Sequence, residues 1–493
     1  MQSYEFNLKG FILCVKIYVI RTKKVTLRNK VIKKMNLPES FKVQMRLVLG
    51  DEQCESFYDA LATVPPTSIR VNPFKPSVCE YAGEEVPWCR SGRYLDERPS
   101  FTLDLLFHSG AYYVQEASSM FLDRILRAFI EKPSTVLDLC AAPGGKSTLT
   151  LSALPKGSVL VANEIVRQRS QILAENIIKW GSPNAIATNN CAADFQEVGQ
   201  VFDVVICDAP CSGEGMFRKD PKAVDEWSPQ NVDMCQSRQR EILADIWPCL
   251  KPGGLLVYST CTYNLKENEE NVLWAVENLG AEVLDCDVPE EWGVTGNLLE
   301  GTAFPVYHFF PHKTKGEGFF ACVMRKGEDS EDEMCGRARR DKKKGRDAHK
   351  EPPFPKEVKM WVDSPQQYTF LTTGAGLYAF PSAHANLLHS ALSSLKVVHY
   401  GIQLATLKGK AVIPAHSLAM SVCMSKAAFP MYEVDETTAL SYLRTESVVL
   451  PSDAPIGYVI LSHKGSPLGF VKNIGNRANN LYPSEWRIRH AGK

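Results

Sequence analysis

The stretch Asp138-Leu139-Cys140-Ala141-Ala142-Pro143-Gly144-Gly145-Lys146-Ser147 decides how this chain of 493 residues is read. An apolar run precedes it and a helix-like pattern follows, so it occupies a strand-to-helix turn. Small residues at such a turn let a ligand approach the backbone N–H groups of the helix N-terminus, the geometry of a nucleotide-type binding loop. Gly145-Lys146-Ser147 invites a P-loop reading, but that motif needs glycine at position 140, where this chain has Cys140. Working outward, apolar runs alternate with helical segments: Thr135 to Cys140, Ser158 to Glu164, Asn184 to Asn190, Phe202 to Asp208, Gly254 to Thr260, Ala281 to Val288 and Phe319 to Arg325. Continuous hydrophobicity with helices between predicts a mainly parallel sheet covered on both faces. Glu164 closes the strand after the loop, where a carboxylate accepts hydrogen bonds from ribose hydroxyls; loop plus acid predicts an adenosine site.

The remaining sequence divides around this unit. Residues 1–34 are a basic extension, with Met35 as a candidate natural start; residues 35–105 read as a small α+β domain; residues 106–326 hold the sheet. Residues 327–353 form a charged linker, acidic then basic, and residues 354–493 a further domain of short apolar runs. With 44% hydrophobic residues, a chain this long supports several cores. Zero formal net charge means that any nucleic-acid binding must come from local basic surface. The 15 cysteines never take C-x-x-C spacing, which argues against a zinc site or a disulfide framework and predicts a reducing, cytoplasmic setting. The run Phe11–Ile20 contains Lys16 and is about half the length needed to cross a bilayer, so neither membrane segment nor export signal is expected.

Two cysteines lie in polar contexts just past strands: Cys211 in Asp208-Ala209-Pro210-Cys211-Ser212-Gly213, and Cys261 in Ser259-Thr260-Cys261-Thr262-Tyr263. If the two strands are neighbours, about 5 Å apart, their loops converge on one ligand. Most other cysteines, Cys207 and Cys322 included, read as small buried apolar residues. The loop Met216-Phe217-Arg218-Lys219-Asp220 offers an aromatic ring beside two cations, a combination suited to stacking a base and holding phosphate.

The set CAAPGGK (140–146), DAPCSG (208–213) and STCTY (259–263), in this order, resembles the Sun-type RNA cytosine-5 methyltransferases. The C-terminal strings GFVK (469–472) and NRANNLYP (476–483) further resemble the RsmF-like bacterial branch that modifies small-subunit ribosomal RNA. The resemblance implies a Rossmann-like class I α/β methyltransferase domain with a seven-stranded sheet. It also implies a small N-terminal α+β RNA-binding domain and a C-terminal RNA-binding, PUA-like region. S-adenosyl-L-methionine is then the cofactor, held by Cys140, Ala141, Ala142, Pro143, Gly144, Gly145 and Lys146 of the loop, by Glu164, and by Asp208. Cys191 stands where the family usually carries an acid for the adenine amino group, with Asn190 or Asp194 as substitutes. The catalytic set implied is Cys261 as nucleophile, Cys211 for product release, Asp208 on the cytosine edge, and Lys146 tuning its charge, with no metal. The expected partner is structured RNA, small-subunit rRNA in the first instance, bound by a monomer. A transfer RNA substrate and a methyltransferase-fold assembly factor are the alternatives.

Overall fold

The computed structural model describes residues 36–75, 83–328 and 354–489. The basic extension, Met35 and most of the charged linker lie outside the described residues. Helix α1 (Glu39–Leu61) bends at Gly50, whose φ of 73° lies in the left-handed region that favours glycine. Its Phe41, Met45, Phe57 and Leu61 join Phe217, Trp227, Tyr263 and Phe310 in one core. Strands β1 (Thr67–Val71), β2 (Gly92–Leu95) and β3 (Tyr112–Val114) form a small antiparallel sheet in the order β2-β1-β3.

The central layer begins with β4 (Thr135–Asp138), followed by α2 (Gly145–Ala153), β5 (Val159–Asn163), α3 (Arg167–Trp180) and β6 (Ala185–Thr188). Then come β7 (Phe202–Asp208), α4 (Pro229–Ile246), β8 (Leu250–Thr260), α5 (Glu269–Leu279), β9 (Glu282–Leu284), β10 (Tyr307–Phe309) and β11 (Phe319–Arg325). Further on, β12 (Tyr368–Thr373), β13 (Gly376–Pro381) and α6 (Ala385–Ser394) lead to β14 (Val397–Tyr400). The sheet has nine strands in the order β10-β11-β8-β7-β4-β5-β6-β14, with β9 beside β11. Strands β8, β7, β4, β5 and β6 run parallel, and the outer ones pair antiparallel. Val159, Leu160, Val161 and Ala162 of β5 are all buried, as a strand covered on both faces requires.

All seven apolar runs named from the sequence contain strands, and two more complete the sheet. Strand β10 sits between Pro305 and Pro311, which punctuate that run like a loop. Strand β14 comes from beyond the linker and pairs with the outer edge of β6, Val397 opposite Thr188. The rest of the C-terminal half forms two four-stranded sheets, β12-β13-β15-β16 with β15 (Ile402–Lys408) and β16 (Ala411–Pro414), and β17-β18-β19-β20 with β17 (Met431–Glu433), β18 (Gly457–His463), β19 (Ser466–Asn473) and β20 (Ala478–Asn480). They share a core in which Ile402 and Leu404 join Ile460 and Phe470.

Strand order reverses between β4 and β7, because β5 and β6 add on one side of β4 and β7 and β8 on the other. A ligand crevice opens at such a switch point, outside the carboxyl ends of the strands.

Candidate active site

Three loops leave the sheet at that switch point. The first, after β4, enters α2 through Gly144, which caps the helix at φ 114° and carries the chain past Asn176 and Leu173. The second leaves β7 at Asp208 and the third leaves β8 at Thr260; because Asp208 is in register with Ser259, both cysteines emerge side by side. Cys211 Sγ lies 3.1 Å from Cys261 Sγ. Close contact with Cys261, together with burial, pushes the Cys211 thiol well above its ordinary range, so Cys211 keeps its proton and can donate it to the neighbouring sulfur.

Lys146, on the first turn of α2, places Nζ 2.9 Å from Asp208 Oδ2 and 5.1 Å from the centre of the Phe319 ring. Ser259 Oγ donates to Asp208 Oδ1 at 2.8 Å. Burial alone would lower the Lys146 ammonium, but the Asp208 carboxylate outweighs it and holds the group above its usual value.

A cleft of about 470 Å3 is lined by Cys140, Ala141, Ala142, Pro143, Gly145, Lys146, Asp208 and Cys261, with Gln115 and Glu116 on the opposite wall. The loop after β4 and the Cys261 loop therefore face one space. Gly144, Glu164, Cys191 and Cys211 do not line it. Glu164, buried at the end of β5, accepts the Val166 N–H at 2.8 Å and lies 3.4 Å from Arg169 Nη1. Cys191 is exposed and starts a short helical turn, its N–H donating to Asp194 Oδ2 at 3.0 Å. Asn190 is occupied as well: its Oδ1 accepts the Lys396 N–H just before β14, at 3.0 Å.

The residues present fit an adenosine-type cofactor. Asp138 Oδ1 is buried beside the loop without a hydrogen-bond partner, while Oδ2 takes the Ser147 hydroxyl at 2.6 Å. Burial raises the Asp138 carboxyl to about 7. Asp138 does not itself line the cleft, but an acceptor left open at the end of β4, where the lining loop departs, is what a ligand hydroxyl or amino group completes. Among the described residues there is no group of His, Cys, Asp and Glu arranged to hold a metal, and no helix long and apolar enough to cross a membrane.

One expectation is overturned. Phe217 is 1% exposed and packs edge-on against Phe41 at 5.0 Å, and Arg218 is spent on Glu317 at 2.9 Å and on the Gly316 carbonyl at 2.6 Å. Neither side chain is free for RNA; of that loop, Met216 and Lys219 reach the cleft. The ring is buried because α1 folds across the loop, a tertiary contact that local composition does not announce. Sequence reading also passed over Glu214 and Glu267, both buried among the cysteine loops. Their one local signal was a carboxylate just after each motif, Glu214 directly following Gly213 and Glu267 four residues past Tyr263.

Sheet order, switch-point cleft and the loop after β4 together define a Rossmann-like methyltransferase. Residues 129–325 match the family described as 16S rRNA methyltransferase RsmB/F, residues 37–117 the N-terminal domain of 16S rRNA methyltransferase RsmF, and residues 429–488 the methyltransferase RsmF PUA domain. Ribosomal RNA small subunit methyltransferase F of Salmonella agona (strain SL483) is 30% identical over 469 residues, covering 91% of this chain and 96% of that protein. The protein of the same name from Klebsiella pneumoniae (strain 342) is 30% identical over 470 residues with the same coverage. Among solved structures, a methyltransferase homolog protein from Pyrococcus horikoshii is 27% identical with a TM-score of 0.51, covering 59% of this chain and 96% of that one. NSun6 from Pyrococcus horikoshii with SFG shares the fold, at 20% identity and a TM-score of 0.52, over 60% of this chain and all 100% of its own. The chain belongs to the RsmF family of S-adenosylmethionine-dependent methyltransferases.

Proposed function

We propose that this protein methylates carbon 5 of a cytosine in small-subunit (16S) ribosomal RNA, with Cys261 as the nucleophile and Cys211 as the release group. The observation that carries the reading is the pair of sulfurs 3.1 Å apart at the carboxyl ends of adjacent parallel strands, one of them lining the cleft that the cofactor loop also lines. The names of the relatives supply the substrate class, and the PUA match supplies a second RNA-binding element. The same reading places the protein in the cytoplasm, where its unpaired cysteines stay reduced.

S-adenosylmethionine, when bound, supplies an electrophilic methyl group. Cys140 to Pro143 and Gly145, which line the cleft, would hold it against the helix N-terminus, with the open Asp138 oxygen beside that loop; Glu164 and Cys191 lie outside the lining, and Glu164 would reach its hydroxyl groups only by giving up Arg169 and the Val166 N–H. Carbon 5 of cytosine is a poor nucleophile until a thiolate adds at carbon 6, and Cys261 lines the cleft where that addition takes place. Asp208, held between Lys146 and Ser259, presents its carboxylate to the base edge and favours the protonated ring that accepts the thiolate. After methylation the bond from carbon 6 to sulfur opens as Cys211 hands its proton to the Cys261 sulfur, and the Cys211 thiolate so formed takes the proton that leaves carbon 5. Cys211 lies close enough to exchange a proton with the departing sulfur. The target base must be unpaired or flipped to reach this depth.

The test uses substrate RNA lacking the modification, S-adenosylmethionine, and a denaturing gel. Cys261→Ala should abolish methylation and form no covalent complex. Cys211→Ala should accumulate a denaturant-resistant protein–RNA adduct. An adduct with Cys261→Ala and none with Cys211→Ala would reverse the assignment.

A further inference from the structure

Behind the two cysteines lie two buried carboxylates whose hydrogen bonds cross from one loop to the other. Glu214 stands three residues after Cys211 and is fully buried. Its Oε2 accepts the Thr262 hydroxyl at 2.5 Å, the Tyr263 N–H at 2.7 Å and the Asn264 N–H at 3.1 Å, all on the residues directly following Cys261. Its Oε1 accepts Gln44 Nε2 from α1 at 2.8 Å, Trp227 Nε1 at 3.0 Å and Asn264 Nδ2 at 3.0 Å. Glu267, six residues after Cys261, reaches the opposite way. It accepts the N–H of Ser212, the residue after Cys211, at 3.0 Å, and the Ser212 hydroxyl as well. Asn264 Nδ2 at 2.8 Å and Gln239 Nε2 at 2.7 Å complete its shell. Between the two, the Gly215 N–H donates to the Cys261 carbonyl at 2.8 Å, and a Cβ on Gly215 would stand 2.7 Å from that oxygen.

We propose that Glu214 and Glu267 are positioning residues: a reciprocal clamp in which each cysteine loop supplies the carboxylate that holds the backbone beside the other cysteine, and so sets the spacing of the two sulfurs. The physical case is that these donors are neutral, although a buried carboxylate is ordinarily matched by a cation. A carboxylate kept in that setting must hold its surroundings through many directed bonds, and here those bonds end on the residues flanking both sulfurs. Gln44 carries the clamp into α1, so the N-terminal helix helps to hold the thiols in place. Displacement of a reacting group by about 1 Å is enough to cost a rate of order 100-fold.

The inference rests on the two-cysteine reading of the site, and a probe that needs no RNA separates the two. A trivalent arsenical, phenylarsine oxide, bridges two thiols held close together. Cys140 also lies against Cys207, so the signal is a difference: wild-type protein should bind one equivalent more than Cys211→Ala does. Glu214→Gln, which turns an amide N–H₂ toward three donors, should weaken that equivalent at least tenfold and lower kcat by roughly 100-fold, with KM for RNA changed little. Glu214→Asp should recover part of both. If Glu214→Gln does not fold, Thr262→Val removes one donor at unchanged shape and should shift arsenical binding and kcat the same way by a smaller factor. Undiminished arsenical binding and kcat in the folded variant, with only a lower Tm, would overturn the clamp. Glu214-dependent arsenical binding in a protein that does not methylate RNA would leave the clamp standing and overturn the reaction.

Discussion

At the scale of single residues, the site shows how environment decides what a side chain does. Lys146 and Asp208 neutralise each other at 2.9 Å on the wall of the cleft, whereas Asp138, one strand-end away, keeps an oxygen without a partner. Phe217 is the residue whose role changes most between sequence and structure. A ring buried among Phe41 and Trp227 stabilises the fold, so Phe217→Ala should cost about 3–5 kcal/mol, read as a lower urea midpoint. RNA affinity of the folded fraction should stay unchanged. An affinity loss at unaltered stability would restore the base-stacking role. The difference was not legible locally, because Met216-Phe217-Arg218-Lys219 reads the same whether α1 covers the ring or leaves it open. The cofactor loop, by contrast, was legible, since small residues between a strand and a helix have few other uses.

At the scale of elements, the deciding piece is β14. Read from sequence, residues 327–353 are a charged linker that sets the C-terminal region apart from the sheet. The fold changes that expectation. Strand β14 closes the edge of β6, and Phe380, Leu388 and Tyr400 pack into the same core as Leu137 and Val205. Asn189 and Asn190, at the end of β6, are bonded to the Lys396 backbone. A chain ending at residue 353 would therefore expose both an unpaired edge and apolar core. It should aggregate in size-exclusion chromatography with light scattering, and lose S-adenosylmethionine affinity in calorimetry along with RNA binding. A monodisperse truncated chain with wild-type cofactor affinity would show that β14 is dispensable. Strand β14 escaped sequence reading because it lies beyond the linker, among segments that form sheets of their own, and only its pairing with β6 shows which sheet it joins.

At the scale of the whole molecule, buried histidines predict how stability follows pH. Burial lowers His108 and His399 to about 4 and His416 to about 3. A group with a depressed pKa in the fold binds protons in the unfolded chain first, so stability is full above about 6.5 and falls as pH drops toward 4. Asp138, raised to about 7 by burial, acts in the opposite sense between about 4 and 7 and offsets one of the three. His416 is the cleanest probe: both ring nitrogens lack partners, and the ring meets Tyr482 and Trp486 edge-on. His416→Phe should keep stability at pH 7 and reduce the loss of unfolding free energy between pH 6.5 and 5 by about 1.4 kcal/mol per pH unit, measured by urea titration. An unchanged pH dependence would mean that His416 is not held neutral. These histidines are far apart in the chain, and Lys179 acts on both His108 and His416 only once the chain has folded, so sequence alone did not mark them as a group. What the sequence by itself determined was local and repetitive: the order of strands and helices in the central layer, the cofactor loop at a strand end, and two cysteines in equivalent positions after their strands. Those features arise from hydrophobic period and turn chemistry, which act over a few residues. Tertiary structure alone decided that the two sulfurs meet, that carboxylates from each loop reach across to the other, that α1 covers Phe217, and that a strand from beyond the linker completes the sheet. Each of these depends on residues far apart in the chain arriving at one place, and only the packing of the whole core specifies that.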